Sequence, residues 1–365
     1  MKLVYITDTL EGLIGVSKKV KSQLATFEEA GFLTEYKCIY NKLSKNPWYM
    51  KILRRINLFY PSNSPIDFDE LKLDGNIFYI RYRPFDYPLF SMIKKIKKDL
   101  NGKVFLEIPT YPNWKEALNF KDFPYLIKNI IFVQFLHFYV DYVVTYSQHD
   151  TIYKIPTIKI SNGIDIKPIR LKNDSRFSDT LKIIAVANVE FWHGYDRLVE
   201  GMFQYYSKGK VKVKVQFHIV GDGKAIPQIK TLVRKRSLEN SVFFHGIKTG
   251  NELDILFDEC HLAIGSLACH RKDIFFDSSL KTREYCARGI PFVNSSKIDD
   301  IPVGFPYLYY VPQDETPIDI PDIINFITSI YEQKENMIFE MRKFAENELN
   351  WKKKMASVVQ KMIES

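Results

Sequence analysis

Short apolar runs alternate with stretches of helical spacing along most of this chain, and they do so in two separate series. In the first, LVYIT (Leu3–Thr7) reads as a buried strand, and Val16–Ala30 has the spacing of an amphipathic helix stopped by Gly31. Strands are predicted at Tyr36–Tyr40, Ile77–Arg81, Val104–Ile108 and Tyr142–Tyr146, with helices at Leu89–Leu100 and Tyr125–Val140. The second series has strands at Lys182–Ala187, Val215–Val220, Val242–His245, Leu262–Ser266 and Pro291–Asn294. Its helices fall at Tyr195–Tyr206, Ile226–Ser237, Glu252–Glu259 and Lys281–Arg288, and Ile320–Ser365 reads as helical throughout. Such alternation is satisfied by parallel strands with crossover helices, so the class is α/β. The polar, Pro-containing stretch Asp165–Thr180 reads as a linker, and 365 residues are enough for two such domains.

Charge and cysteine usage narrow the partners. A net charge of +9 favours phosphate-bearing or anionic membrane partners. No basic stripe accompanies a recognised nucleic-acid motif, so nucleic acid is not expected. Cys38, Cys260, Cys269 and Cys286 are too scattered for a disulfide framework, which points to a reducing, cytoplasmic compartment. The N-terminal residues lack the features of a signal peptide. The most apolar stretch, Leu126–Tyr146, is interrupted by Lys128, Asn129, Gln134, His137 and Asp141 and cannot cross a bilayer as one apolar helix. The spacing of Cys260, His261, Cys269 and His270 fits no common zinc site, so no metal is expected. Residues 41–60 interleave Lys42, Lys45, Lys51, Arg54 and Arg55 with Trp48, Tyr49 and Phe59. That mixture suits either a peripheral contact with the inner face of a membrane or a packed helix with solvated charges.

Three segments carry chemistry. In Ser278–Val293, Ser278, Ser279 and Leu280 open a helix whose unpaired amides and positive dipole end suit a phosphate. Lys281, Arg283, Arg271 and Lys272 could neutralise a diphosphate, and Glu284, about a turn deeper, could accept two vicinal ribose hydroxyls. An ordinary capped helix with solvated charges would carry the same residues. In Ile183–Met202 a strand runs into a loop and then a helix, where His193 and Arg197 could face an anion or Phe191 and Trp192 could simply plug a surface loop. The Gly-Asp-Gly of Phe217–Gly223 is a weaker signal, a tight turn after a strand.

Taken in order, SNGID (Ser161–Asp165), the WHG and DRLVE segment, IVGDG, FFHG (Phe243–Gly246) and LKTREYCARGIPFV resemble the donor domain of a glycosyltransferase of the GT-B fold, family 4 group. IGVSKKV (Ile14–Val20), LEIPTYP (Leu106–Pro112), DYVVTYS (Asp141–Ser147) and FAENELNWKKKM (Phe344–Met355) resemble further landmarks of that family, so the likeness spans nearly the whole chain. The resemblance implies two facing Rossmann-like domains: an acceptor domain over 1–170, a nucleotide-sugar domain over 171–345, and a terminal helix over 346–365 that crosses back to the first. It implies metal-independent hexosyl transfer, with retention, from a nucleotide diphosphate-sugar to a saccharide or lipid-linked acceptor, of the kind used in capsule, exopolysaccharide or O-antigen assembly. No cofactor beyond the donor is implied.

On this reading Gly15, His193, Arg271, Lys272, Ser278, Ser279, Leu280, Lys281 and Glu284 bind the donor, and Asp277 and Glu107 are the catalytic candidates, with Thr110 a further polar candidate. The sequence also departs from the family pattern. The first of its paired glutamates falls at Phe276, the usual arginine and lysine of the diphosphate clamp fall near Asn188 and His193, and Ile14 replaces the first glycine of a pair. Those departures leave open an inactive partner or regulator of another transferase, and, further off, a sugar-nucleotide epimerase on the same fold.

Overall fold

The structure, a computed structural model, describes every residue except 8–13, 40–56, 60–70, 82–84, 110, 112–122, 175–178, 210 and 334; of residues 14, 15 and 123–126 only the backbone is described. The chain divides into two compact units, one comprising Met1–Ser161 with Trp351–Ser365 and the other Asn162–Asn350.

The first unit is built on a seven-stranded sheet. Its elements are β1 (Lys2–Thr7), α1 (Ile14–Glu29), β2 (Leu33–Cys38), β3 (Ile77–Arg81), α2 (Tyr87–Asp99), β4 (Lys103–Ile108), α3 (Phe123–Val133), β5 (Tyr142–Thr145), β6 (Thr151–Ile152) and β7 (Ile155–Lys159). The strand order is β2-β1-β3-β4-β5-β7-β6, parallel except for the antiparallel β6–β7 pair. The central strands are apolar on both faces because both are covered. Leu3, Tyr5, Ile77, Tyr79 and Phe105 pack on one face with Val20 and Phe27 of α1 and with Trp351, Met355, Val358 and Met362 of the C-terminal helix (Trp351–Glu364). The intervening residues, Val4, Ile6, Phe78, Ile80, Val104 and Leu106, pack on the other face with Leu89, Met92, Ile93 and Ile96 of α2. Helix α2 starts two residues before the expected Leu89, because the Asp86 carboxylate accepts from the Leu89 N–H and Pro88 occupies the first turn; Lys97 and Lys98 end it.

The second unit holds a six-stranded, wholly parallel sheet in the order β10-β9-β8-β11-β13-β15. The elements are β8 (Thr180–Val186), α4 (Tyr195–Ser207), β9 (Lys214–Val220), α5 (Ile226–Lys235), β10 (Val242–Gly246), α6 (Gly250–Glu259), β11 (Leu262–Ile264), β12 (Phe276–Asp277), α7 (Leu280–Arg288), β13 (Phe292–Asn294), β14 (Lys297–Ile298), β15 (Leu308–Tyr310), α8 (Ile320–Gln333) and α9 (Met337–Phe344). Strands β12 and β14 form a separate two-stranded ladder. The chain fills the sheet outward from β8 to β10, then returns to lay β11 on the other side of β8. That reversal makes the carboxyl ends of β8 and β11 a topological switch point, the place where such sheets bind ligands.

Two details differ from the sequence reading. Residues 165–174, part of the expected linker, are fastened to the second unit: the Arg342 guanidinium donates to the Ile166 and Ile169 carbonyls, and Arg170 pairs with Asp258. The helical stretch over 320–365 is broken after α8 and again at Asn350, whose extended backbone (ψ 154°) ends a π-helical turn before the C-terminal helix begins.

Candidate functional site

The loops after β8 and β11 are locked together at the switch point. The Leu267 N–H donates to the His193 carbonyl at 2.9 Å. Gly194 has φ +65°, and a Cβ there would lie 2.7 Å from Ala268 Cβ and 2.9 Å from Ala268 N, so only glycine allows this approach. The Gly-Asp-Gly turn braces the same loop from the far side. Val189 N donates to Asp222 O at 2.6 Å, Ala225 N donates to Val189 O at 3.0 Å, and a Cβ on Gly223 would meet Val189 O at 2.2 Å.

Helix α7 opens onto this edge, and Asp277 shapes its start. Both Asp277 carboxylate oxygens accept from Ser279, one from the backbone N–H (2.8 Å) and one from the hydroxyl (3.0 Å). Ser279 is the N-cap residue, yet its hydroxyl is turned to Asp277 and makes no cap bond to the first-turn amides, which include those of Leu280 and Lys281. Asp277 is thus engaged in forming the turn. Ser278 is tied inward: its hydroxyl accepts from the Asn162 N–H and from Arg283, and its carbonyl accepts from Asn162 Nδ2 at 2.7 Å. Phe276 is 64% exposed and leaves no carboxylate at that position.

The basic residues fall into two groups. Arg271 spends all five N–H donors within the protein, on Asp196, Glu315 and the Phe191 carbonyl. Its guanidinium therefore staples the loops and has no donor left for a phosphate. Arg283 is fully buried and donates to Asn162 O, Ser279 O, Ser278 Oγ, Asp299 and Asp300. Arg197 is buried on the carbonyls of Leu267, Pro312 and Thr316 and on Asp314. These three arginines hold the walls, which corrects the expectation that they meet an anion.

Lys281 is the opposite case. Its Nζ is sealed from solvent and meets no hydrogen-bond acceptor among the described residues. Burial pulls its pKa down to about 8, opposed by the nearby Asp277 carboxylate and the Cys269 sulfur. Lys272 is exposed, with its ammonium 4.2 Å from the centre of the Trp192 ring.

His193 lies close to both lysines. Its Nδ1 accepts from the Glu190 N–H at 2.9 Å, so the proton sits on Nε2. Burial, reinforced by the Lys281 and Lys272 charges, lowers its pKa to about 3. At neutral pH His193 is therefore a neutral hydrogen-bond donor through Nε2. On α7, Glu284 gives one oxygen, Oε1, to Arg288 at 2.9 Å, and its Oε2 accepts nothing among the described residues. Arg288 is itself held by Asp254, which fixes the Glu284 carboxylate on the helix surface.

Glu107, the other catalytic candidate, sits in the first unit and is completely buried. It accepts from Lys19 (3.0 Å), Arg81 (2.6 Å), Tyr79 (2.7 Å) and Gln23 (2.9 Å). Burial alone would raise its pKa, but Lys19 and Arg81 overcome that and hold it at about 2. Glu107 is therefore the anionic hub of a saturated buried network, a correction to its catalytic role. Gly15 lies in the first turn of α1. Thr110 and the basic aromatic segment fall outside the described residues, apart from 57–59. No group of three or more His, Cys, Asp or Glu able to hold a metal occurs among the described residues.

Sequence reasoning missed Asp196 and Glu315, which occupy Arg271, and it had no means of finding Lys281's isolation, because neither follows from local spacing.

No protein-family model and no curated protein sequence matches the chain. Solved structures do. A glycosyltransferase from Rickettsia africae ESF-5 is similar with a TM-score of 0.63 and 15% identity over 100% of this chain and 97% of that one. The lipopolysaccharide outer core galactosyltransferase WaaB, in its apo form, gives 0.62 and 16% over 100% and 99%. Sucrose-phosphate synthase from Thermosynechococcus elongatus gives 0.64 and 14% over 100% and 99%. With its two doubly wound units, this chain has the fold of the GT-B glycosyltransferases.

Proposed function

We propose that the protein is a retaining glycosyltransferase that moves a hexosyl group from a nucleotide diphosphate-sugar to a saccharide or lipid-linked acceptor, as surface polysaccharide assembly requires. The observation that carries this reading is Lys281: a buried ammonium without an acceptor among the described residues, set in the first turn of α7 beside amides that Ser279 leaves uncapped. An unpaired buried charge is costly, and an anion docked at the same place would offset that cost.

In this reading the diphosphate sits against the α7 opening and Lys281, with Lys272 at the exposed rim, and the free Oε2 of Glu284 accepts the ribose hydroxyls. His193 donates through Nε2 to a phosphate or sugar oxygen. As the bond from the anomeric carbon to the phosphate oxygen breaks, the leaving diphosphate gains charge that the helix amides meet, and Lys281, whose Nζ is sealed in this structure, adds to that stabilisation by swinging toward the phosphate. The acceptor oxygen bonds to the same face of that carbon, and its proton passes to the departing phosphate, so the reading needs neither a metal ion nor Glu107 as a base. With Phe276 exposed and Asp277 occupied, the donor sugar is held by groups other than an acid at position 276.

The test is incubation of the purified chain with UDP-, GDP- and dTDP-sugars and a panel of saccharide acceptors. Release of free nucleotide or acceptor elongation is expected with one donor, and Glu284→Gln should cut its use at least about tenfold. Silence with every donor, together with a tight protein partner, would replace this reading with that of an inactive partner.

A further inference from the structure

Helix α3 and the 3-10 turn after it, Leu136–Phe138, carry their polarity in reverse. Lys128 is 2% exposed and Asn129 is also buried, with its side-chain oxygen accepting from the Phe85 N–H at 2.8 Å. Ile127, Ile130, Ile131, Phe135 and Phe138 face outward instead; Ile130 is 51% exposed, Phe135 48% and Phe138 63%. Their spacing, 127, 130/131, 135 and 138, is that of one helical face. A soluble helix places such a stripe against the core.

Aromatic packing, through the buried Phe132, links this face to exposed rings beyond α3. Ring contacts run from Phe135 to Phe90, from Phe90 to Phe132, from Phe132 to Tyr87 and from Tyr87 to Phe59, which is itself exposed. Single exposed apolar residues need no explanation, but a joined patch of this kind marks an interaction surface. Its rim is cationic. Tyr87, Ser91, Lys94 and Lys98 lie on one stripe of α2, Lys94, Lys95 and Lys98 are all exposed, and residues 127–138 contain no Asp or Glu.

We propose that this face seats the first unit on an anionic phospholipid surface, a reading that stands apart from the assignment of sugar transfer. A second copy of the same face would set lysines against lysines, which opposes self-association. Protein interfaces also use roughly one hydrogen bond per 100–200 Å². Here Gln134 is the one exposed polar residue among 127–138, whereas hydrocarbon requires no such groups. The eleven residues of α3 reach about 16 Å, too short to cross a bilayer, so the segment lies in the interfacial plane with its apolar side chains among the acyl chains.

The experiment is co-sedimentation of the full chain with vesicles of phosphatidylcholine alone and of phosphatidylcholine with about one-third phosphatidylglycerol. The chain should bind the mixed vesicles and bind them less at high salt. Ile130→Gln with Phe138→Ser, both at exposed positions, should lower partitioning at least about tenfold while leaving the melting temperature unchanged. Lys94→Gln with Lys98→Gln should lower it several-fold on the mixed vesicles only. In an Ile130→Trp variant, lipids brominated on their acyl chains should quench the indole fluorescence. The proposal is overturned if wild type does not sediment with the mixed vesicles or if the Ile130/Phe138 variant sediments as well as wild type. It is equally overturned if that variant dissolves a dimer without changing partitioning, which would assign the face to a second copy.

Discussion

At the carboxyl edge of the first sheet, Lys19 is buried and Arg81 partly buried around Glu107; at that of the second, Lys281 is buried with no acceptor in reach among the described residues. In the first cluster Glu107 takes four donors, and the Lys19 ammonium also lies 4.0 Å from the centre of the Tyr146 ring. Burial brings both lysines down to about 8, so desolvation alone does not tell them apart. Partnership does. A buried charge whose neighbours satisfy it is part of the architecture, whereas one left alone at a switch point, beside uncapped amides, is positioned for something the chain does not itself supply.

That contrast can be broken at either end. The largest effect is expected at Glu107→Gln, which leaves Lys19 and Arg81 buried without their counter-charge and should cost about 3–5 kcal/mol of stability in urea denaturation. The same carboxylate predicts acid sensitivity. Its folded pKa lies below its unfolded value, so its stabilisation is complete above about pH 4.5 and is lost as pH falls toward about 2, read as a falling denaturation midpoint.

Lys281→Met should act with the opposite sign on stability. Removing an unpartnered charge should leave the melting temperature unchanged or raise stability by up to roughly 2 kcal/mol, while donor affinity falls about tenfold to a hundredfold. Between about pH 8 and 10.5 the unfolded chain holds the Lys281 proton and the folded chain does not, so this residue's contribution to stability rises with pH across that window. Lys272→Ala is the mildest change. An exposed ammonium at the rim attracts a diphosphate through screening solvent, so donor affinity should fall only a few-fold in a binding titration.

Much of the fold was legible because it rests on local pattern. The apolar runs of β1, β3, β4, β8 and β9 are buried on both faces, and the starts of α2 and α4 lie within two residues of their predicted positions. The two-residue strands β12 and β14 carry no periodicity to read. Helix α3 ends at Val133 although its apolar character continues, because composition alone does not separate a helix from the 3-10 turn that follows. The site was legible in its residue types and opaque in their roles. Arg271 and Arg283 look like phosphate ligands until Asp196, Glu315, Asp299 and Asp300 are seen to occupy them. Glu107 looks like a free acid until Lys19, 88 residues earlier in the chain, is found beside it. Each misreading concerns a long-range ion pair, which spacing along the chain does not encode.

The account rests on Lys281 as the cation that meets a diphosphate. Calorimetric titration of the wild type and of Lys281→Met with UDP, GDP and dTDP, at pH 7 and again above pH 9, tests it directly. One nucleotide should bind wild type at pH 7 and weaken about tenfold for each pH unit beyond about 8, while the variant binds it weakly and without that dependence. Equal affinity in both proteins at both pH values would contradict the account.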